Sequence, residues 1–415
     1  MTAGETELPV ASLRIERLGS SEYAIHLESS LPGVAPQRIV REGYEELGKT
    51  YGTARAALES YTDGGDLVLN PSPQKGAKIL GDIRGLGRTL LTALVGERRG
   101  QAMKRFHDFF STVERRTPGG VAPVLTVVSP VDLPFELMPV VGDEHQIVAA
   151  APFGLADQCV SRFLGLRFVL HRFGQSTRPG PTNLALRAGG ERDTVVLAPY
   201  WNEKVGKVRA ELAELAGFGY LAVRDPQPDR GALGQASPQE HIARLLIRDR
   251  ADREEIVHVA AHCEAPDGDP PVLHTMVFGV KTFPWKYELV RVSGSDLVSA
   301  EENVWDENRP GLPDGPLAFL NACRTAGSSF SDYTSIPEML LNAYYRTVVS
   351  PLVTVNSAPA MVLARFFYEA LGQRRTVGGA LRWARVKLLE EHGNPLGLAY
   401  CCHGESRLRV AERAF

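Results

Sequence analysis

Apolar positions along the chain recur at distinct spacings, and each spacing predicts a different element. Between residues 12 and 27 they alternate loosely (Leu13, Ile15, Leu18, then Tyr23, Ile25, Leu27). That pattern predicts a β-hairpin turned at Gly19-Ser20-Ser21. Over residues 39–61 the spacing lengthens to threes, fours and sevens (Tyr44, Leu47, Tyr51, Leu58), which predicts a helix. Asp63-Gly64-Gly65-Asp66 and Asn70-Pro71-Ser72-Pro73 then punctuate the chain. Helical spacing resumes over residues 76–110 with Ile79, Ile83, Leu86, Leu90, Leu94, Met103, Phe106 and Phe110. Residues 123–128, 147–151 and 168–171 are short apolar runs of the kind that form buried strands.

Residues 174–193 are rich in Gly, Pro, Arg and Ser and read as a linker or exposed loop. Beyond them strand and helix alternate. Strands are predicted at 194–199 and 220–224 and helices at 203–216 and 237–248, the last opened by the cap signal Ser237-Pro238-Gln239-Glu240. A strand ends at His262, another covers 273–279, and a long loop leads to Pro316. A strand ending at Cys323, a helix near 337–345, a strand at 348–355 and helices at 360–371 and 378–392 complete the pattern. Such alternation predicts an α/β fold with a mostly parallel sheet covered on both faces.

Composition narrows the class. The chain has 415 residues, enough for two or three domains, with the 44% hydrophobic and 23% charged content of a soluble globular protein. A net charge of −3 gives no electrostatic case for nucleic acid as the main partner. No apolar run approaches the roughly 20 residues of a membrane-spanning helix, so no membrane partner is expected. Met-Thr-Ala-Gly-Glu-Thr-Glu lacks the apolar core of a secretory signal. Five cysteines, an odd number, do not make a disulfide framework and point to a reducing, cytoplasmic setting.

The candidate chemistry sits at two strand ends. Ile256-Val257-His258-Val259-Ala260-Ala261-His262-Cys263 and Leu317-Ala318-Phe319-Leu320-Asn321-Ala322-Cys323-Arg324 are apolar runs that stop at a reactive side chain. In open α/β sheets ligands collect beyond the carboxyl ends of the strands. Two parallel neighbours ending in His262 and Cys323 would set a base beside a thiol, as a cysteine nucleophile requires. His258, four residues earlier, shares a strand face with His262 and reads as a packed, supporting histidine. A zinc site from His258, His262, Cys263, Cys401, Cys402 and His403 lacks the Cys-x-x-Cys spacing such sites use. Asp267-Gly268-Asp269 offers too few oxygens for calcium. Phosphate-loop, dinucleotide and serine-elbow motifs are absent, so no metal and no cofactor is expected.

Four strings in order resemble the CHAT family, caspase-like cysteine peptidases related to separase and metacaspases. They are Leu133-Pro134-Phe135-Glu136-Leu137, His258-Val259-Ala260-Ala261-His262, Asn321-Ala322-Cys323-Arg324-Thr325-Ala326, and the tail Phe366-Phe367-Tyr368-Glu369-Ala370-Leu371 with Ala380-Leu381-Arg382-Trp383-Ala384-Arg385. The resemblance implies a caspase-like three-layer αβα fold, with a small N-terminal α+β module over residues 1–78. Residues 79–415 would be the peptidase domain, with a non-catalytic part (79–190) and a catalytic part (191–415). It implies an endopeptidase in which Cys323 is the nucleophile and His262 the proton shuttle. The backbone N–H groups of Cys263 and Cys323 would form the oxyanion hole. Relatives that cleave after basic residues place an acid in the pocket, which points to Asp332, or to Asp306 and Glu307. A protein substrate, a regulatory partner acting through residues 1–78 and a setting such as bacterial antiviral defence belong to the same implication. The alternative is a catalytically inactive caspase-like scaffold. One position departs from the family: Cys263 stands where glycine is usual. Either the turn there needs no positive φ, or the backbone is built differently.

Overall fold

A computed structural model of the chain describes residues 6–63, 69–97, 100–119, 121–131, 133–140, 163–173, 183–184, 195–197, 208–218, 221–224, 237–247, 256–264, 275–283, 286–305, 317–322, 335–343 and 345–410. The expected hairpin is β1 (Thr6–Arg17) and β2 (Glu22–Ser29), paired so that Leu13 faces Leu27 and Ile15 faces Ile25. Ile39 and Val40, expected at the start of a helix, instead lie in β3 (Gln37–Glu42), paired with Ile25 and Ala24. Gly43, at φ +93°, turns the chain before α1 (Tyr44–Asp63) begins. The next helical stretch is two helices. In α2 (Pro73–Val95) the Ser72 side chain caps the first turn, and Gly96 at φ +119° ends the helix; α3 (Gln101–Arg116) follows. β4 (Val121–Val128) enters parallel to β1. After the one-turn α4 (Leu164–Arg167), β5 (Val169–Phe173) pairs with β4. The five strands form one sheet in the order β3-β2-β1-β4-β5, so strands from residues 6–42 and 121–173 share a sheet, and residue 78 falls inside α2. The strand predicted at 147–151 lies outside the described residues.

The second half begins with β6 (Asn183–Leu184), β7 (Val195–Leu197), α5 (Val208–Ala216), β8 (Ala222–Arg224) and α6 (Pro238–Leu246). The Ser237 hydroxyl accepts the Glu240 N–H at 3.1 Å, as its cap signal predicts. The run expected to end as one strand at His262 divides. β9 (Ile256–Val259) stays in the main sheet, and after Ala260-Ala261 the chain enters β10 (His262–Glu264). β10 pairs with β11 (Thr275–Phe283), which pairs with β12 (Lys286–Ser293), in a separate antiparallel sheet. β12 and α7 (Gly294–Trp305) occupy much of the stretch expected to be loop. Ser293 and Asp296 cap α7 reciprocally: the Asp296 carboxylate accepts the Ser293 N–H at 2.7 Å, and the Ser293 hydroxyl accepts the Asp296 N–H at 3.3 Å.

Then come β13 (Leu317–Leu320), α8 (Ile336–Asn342), β14 (Thr347–Pro351), α9 (Ser357–Gly372), α10 (Val377–His392), β15 (Tyr400–Gly404) and β16 (Arg409–Val410). The main sheet runs β15-β14-β13-β9-β7-β8, parallel except for β15. Its central strands bury both faces, as parallel strands under helices do. Val257, Val259, Ala318, Leu320 and Val348 pack with Ile242 and Leu246 of α6, Leu297 of α7 and Leu340 of α8. Ile256, Leu317, Phe319 and Val349 pack with Leu215 of α5 and the apolar face of α9. This is a three-layer αβα arrangement. None of the helices in the described residues is long and apolar enough to cross a membrane.

Candidate active site

The parallel pairing of β9 with β13 builds the site. Ile256 lies opposite Leu317, His258 opposite Phe319 and Val259 opposite Leu320. The pairing extends past the strands, since the Asn321 N–H donates to the Val259 carbonyl. Leu320 lies 61 positions after Val259, and Cys323 lies 61 positions after His262. The two strands that lead to the candidate base and the candidate thiol are therefore neighbours at the centre of the main sheet.

His262 is the first residue of β10, opposite Val277. Cys263 follows, buried and opposite Met276. Its backbone is regular strand: among the described residues Arg374 is the non-glycine residue with positive φ. Cysteine in place of glycine thus meets no left-handed backbone at this position. Cys323, Asp306, Glu307 and Asp332 lie outside the described residues.

Beneath these strand ends is a buried polar network. His258 is fully buried, with its ring stacked on Phe319 at 5.3 Å. Its Nε2 lies 3.0 Å from Glu211 Oε1 and its Nδ1 lies 3.1 Å from the Tyr368 hydroxyl. The Asn321 side-chain amide donates to the same Glu211 oxygen at 2.6 Å. The Tyr400 hydroxyl donates to Asn321 Oδ1. All partners are satisfied with one assignment. Tyr368 O–H donates to His258 Nδ1, and His258 Nε2–H donates to Glu211 Oε1. Buried polar groups left unpaired would be costly, so the cluster holds its geometry. His258 was expected as a packed, supporting histidine and is one.

Sequence reasoning missed Glu211 and Tyr400. Glu211 sits on α5 one turn before Leu215, and both are buried. An acidic residue on the apolar side of a short helix is the signal that marks it. Among the described residues, no group of three or more His, Cys, Asp or Glu side chains is placed to hold a metal ion. Cys263, Cys401 and Cys402 are buried. Burial pushes the Cys402 thiol up to about 12, which leaves it protonated and unreactive at neutral pH.

Two of the family-like strings also meet. Glu136, on a one-turn 3₁₀ helix spanning Phe135–Leu137, is fully buried between the Arg172 and Arg385 guanidiniums. Burial alone would raise the Glu136 carboxyl, but Arg172 and then Arg385 outweigh it and hold it below the ordinary carboxylate range. Arg385 also donates to the carbonyls of Gly165 at 2.9 Å, Gly397 at 3.2 Å and Tyr400 at 2.7 Å.

No curated protein matches the sequence. Among solved structures the fold is similar to the Arg-specific cysteine proteinase gingipain R, with 11% identity and a TM-score of 0.42 over 76% of this chain and 70% of that chain. A complex of Porphyromonas gingivalis RgpB pro- and mature domains gives 10% identity and a TM-score of 0.43, over 74% of this chain and 70% of that one. The Saccharomyces cerevisiae separase–securin complex gives 9% and 0.47; 97% of this chain is covered, but only 30% of that chain. The CHAT domain model matches residues 171–396, more than half of the sequence, and takes in β9, β13, α5, α9 and α10 together with both candidate catalytic positions. The chain belongs to the CHAT domain family.

Proposed function

We propose that this protein is a cysteine endopeptidase acting on a specific protein substrate through Cys323 and His262. The observation that carries the reading is the pairing of β9 with β13, whose register repeats the sequence distance between the two residues. In the proposed reaction His262 takes the Cys323 proton and the thiolate attacks the scissile carbonyl carbon. The backbone N–H groups of Cys263 and Cys323 receive the oxyanion. Collapse of the tetrahedral intermediate breaks the C–N bond, and His262 protonates the departing amine. Water then hydrolyses the thioester and frees Cys323.

Asp332, with Asp306 as the alternative, is proposed to sit in the substrate pocket and select a basic residue before the cleaved bond. A regulatory protein partner is proposed to act through residues 1–78, whose strands join the sheet that abuts the main one. Cytoplasmic location and a role in bacterial defence belong to the same proposal and rest on family resemblance.

Peptide-library profiling of wild type, Cys323→Ala, His262→Ala and Asp332→Ala tests the whole reading. Loss of either dyad member is expected to lower cleavage by about a thousand-fold or more while the fold is kept. Asp332→Ala is expected to lose cleavage after Arg and Lys while its Cys323 still reacts with a thiol electrophile. Cleavage retained by Cys323→Ala overturns the assignment, and unchanged specificity removes Asp332 from the pocket.

A further inference from the structure

Glu211 bonds both strands that lead to the candidate dyad, yet it belongs to neither. It sits on α5, 4% exposed, and one oxygen, Oε1, accepts from His258 Nε2 of β9 at 3.0 Å and from Asn321 Nδ2 at 2.6 Å. Asn321 immediately follows β13 and stands two residues before Cys323. His258 stands four residues before His262. The carboxylate is thus a side-chain clamp across the pair, added to the backbone bond from Asn321 N–H to Val259 O. Tyr368 and Tyr400 hold its two partners from the other side, on α9 and β15.

We infer that Glu211 is a positioning residue for the peptidase reaction. It fixes the spacing of the two chain segments that present His262 and Cys323, and does so by where its oxygen lies rather than by its charge. The inference rests on the proposed dyad. Its chemistry follows from the donor arrangement. The glutamine carbonyl oxygen accepts the same two N–H groups, so Glu211→Gln keeps the clamp. Aspartate keeps the charge but draws the oxygen back by one methylene, so Glu211→Asp loosens it. A displacement on the scale of 1 Å near a reacting pair lowers rates by about a hundred-fold.

The test needs no substrate. Iodoacetamide alkylation of Cys323 is followed by peptide mass across a pH series, in full-length wild type, Glu211→Ala, Glu211→Asp, Glu211→Gln and His262→Ala. The three cysteines described here are buried and stay apart from the signal. In wild type, pairing with His262 is expected to set the alkylation midpoint well below the ordinary thiol value of about 8.5. The alanine and aspartate variants are expected to move it upward by about one pH unit or more, and glutamine to leave it within about 0.3 unit of wild type. A folded Glu211→Ala with the wild-type midpoint overturns the inference. So does rescue by aspartate but not glutamine, which assigns the effect to charge. If alanine fails to fold, the aspartate–glutamine pair decides. A wild-type midpoint equal to that of His262→Ala instead overturns the dyad itself, so the two failures are told apart.

Discussion

At Glu405 the fold holds a carboxylate ionised in a place that is only 1% exposed. Arg407 donates through Nε at 2.8 Å and Nη2 at 2.7 Å, and the His171 ring lies 3.2 Å away. Burial would raise this carboxyl; the hydrogen bonds from Arg407 and then the nearby His171 ring outweigh it and hold it well below the usual range. A depressed folded-state pKa contributes stability above the ordinary carboxylate value near 4.3, and that stability is lost as pH falls through the folded-state value. Arg407 is half exposed, so its share is small. Glu405→Gln is therefore expected to cost about 1–2 kcal/mol at pH 7, with the gap to wild type closing as the pH of urea unfolding is lowered from 5 toward 2. A gap that is constant with pH would show that the carboxylate charge is not what stabilises the site. Single residues were readable from sequence to different depths. His258 announced its role because it lay on a strand face between apolar neighbours. Glu211 did not, because an acidic residue in a helix ordinarily reads as solvated, although its one-turn spacing from Leu215 sets it on the apolar side of α5.

Among the elements, α2 carries four glycines, of which Gly81 and Gly87 meet opposite surroundings. Gly81 is exposed, and a Cβ built there has nothing within 4 Å. Gly87 is buried, and a Cβ there would lie 1.8 Å from the Leu137 carbonyl oxygen, on the turn that carries Glu136. Alanine is the better helix former by about 1 kcal/mol. Gly81→Ala is expected to stabilise by about 0.5–1 kcal/mol, while Gly87→Ala is expected to destabilise by about 1–3 kcal/mol because backbone must move. Thermal unfolding of the two variants checks the opposite signs. The strand–helix alternation after residue 194 was readable because each buried strand is a short Val, Ile and Leu run between cap signals. β15 was missed because Tyr400-Cys401-Cys402-His403-Gly404 is neither such a run nor an apolar–polar alternation. β12 was missed although Leu289, Val290 and Val292 carry apolar side chains, because the apolar run before it stops at Gly279 and Pro284 reads as loop. β9 and β10 read as one strand because hydrophobicity continues through Ala260-Ala261 while the pairing partner changes.

Across the whole molecule, the two large sheets meet where β5 lies beside β15. Arg172 of β5 reaches Cys401 of β15 at 3.5 Å, and both Arg172 and Arg385 hold Glu136. Removing one partner from a buried ion cluster leaves the rest uncompensated. Arg385→Met, which also frees three carbonyls, is expected to cost about 3–5 kcal/mol in urea unfolding; a loss under about 1 kcal/mol would mean that the cluster does not tie the sheets together. Tyr400 stands in both networks, its carbonyl held by Arg385 and its hydroxyl holding Asn321.

That double attachment has a consequence for the order in which the protein is made. Tyr400 follows Asn321 by 79 residues, and Glu211 precedes it by 110. When Asn321 leaves the ribosome, the strand whose tyrosine holds it has not been synthesised. Three helices, α8, α9 and α10, must emerge before it, and closing such distant contacts comes late because chain entropy opposes it. A half-made chain therefore carries both candidate catalytic residues without the strand that holds Asn321.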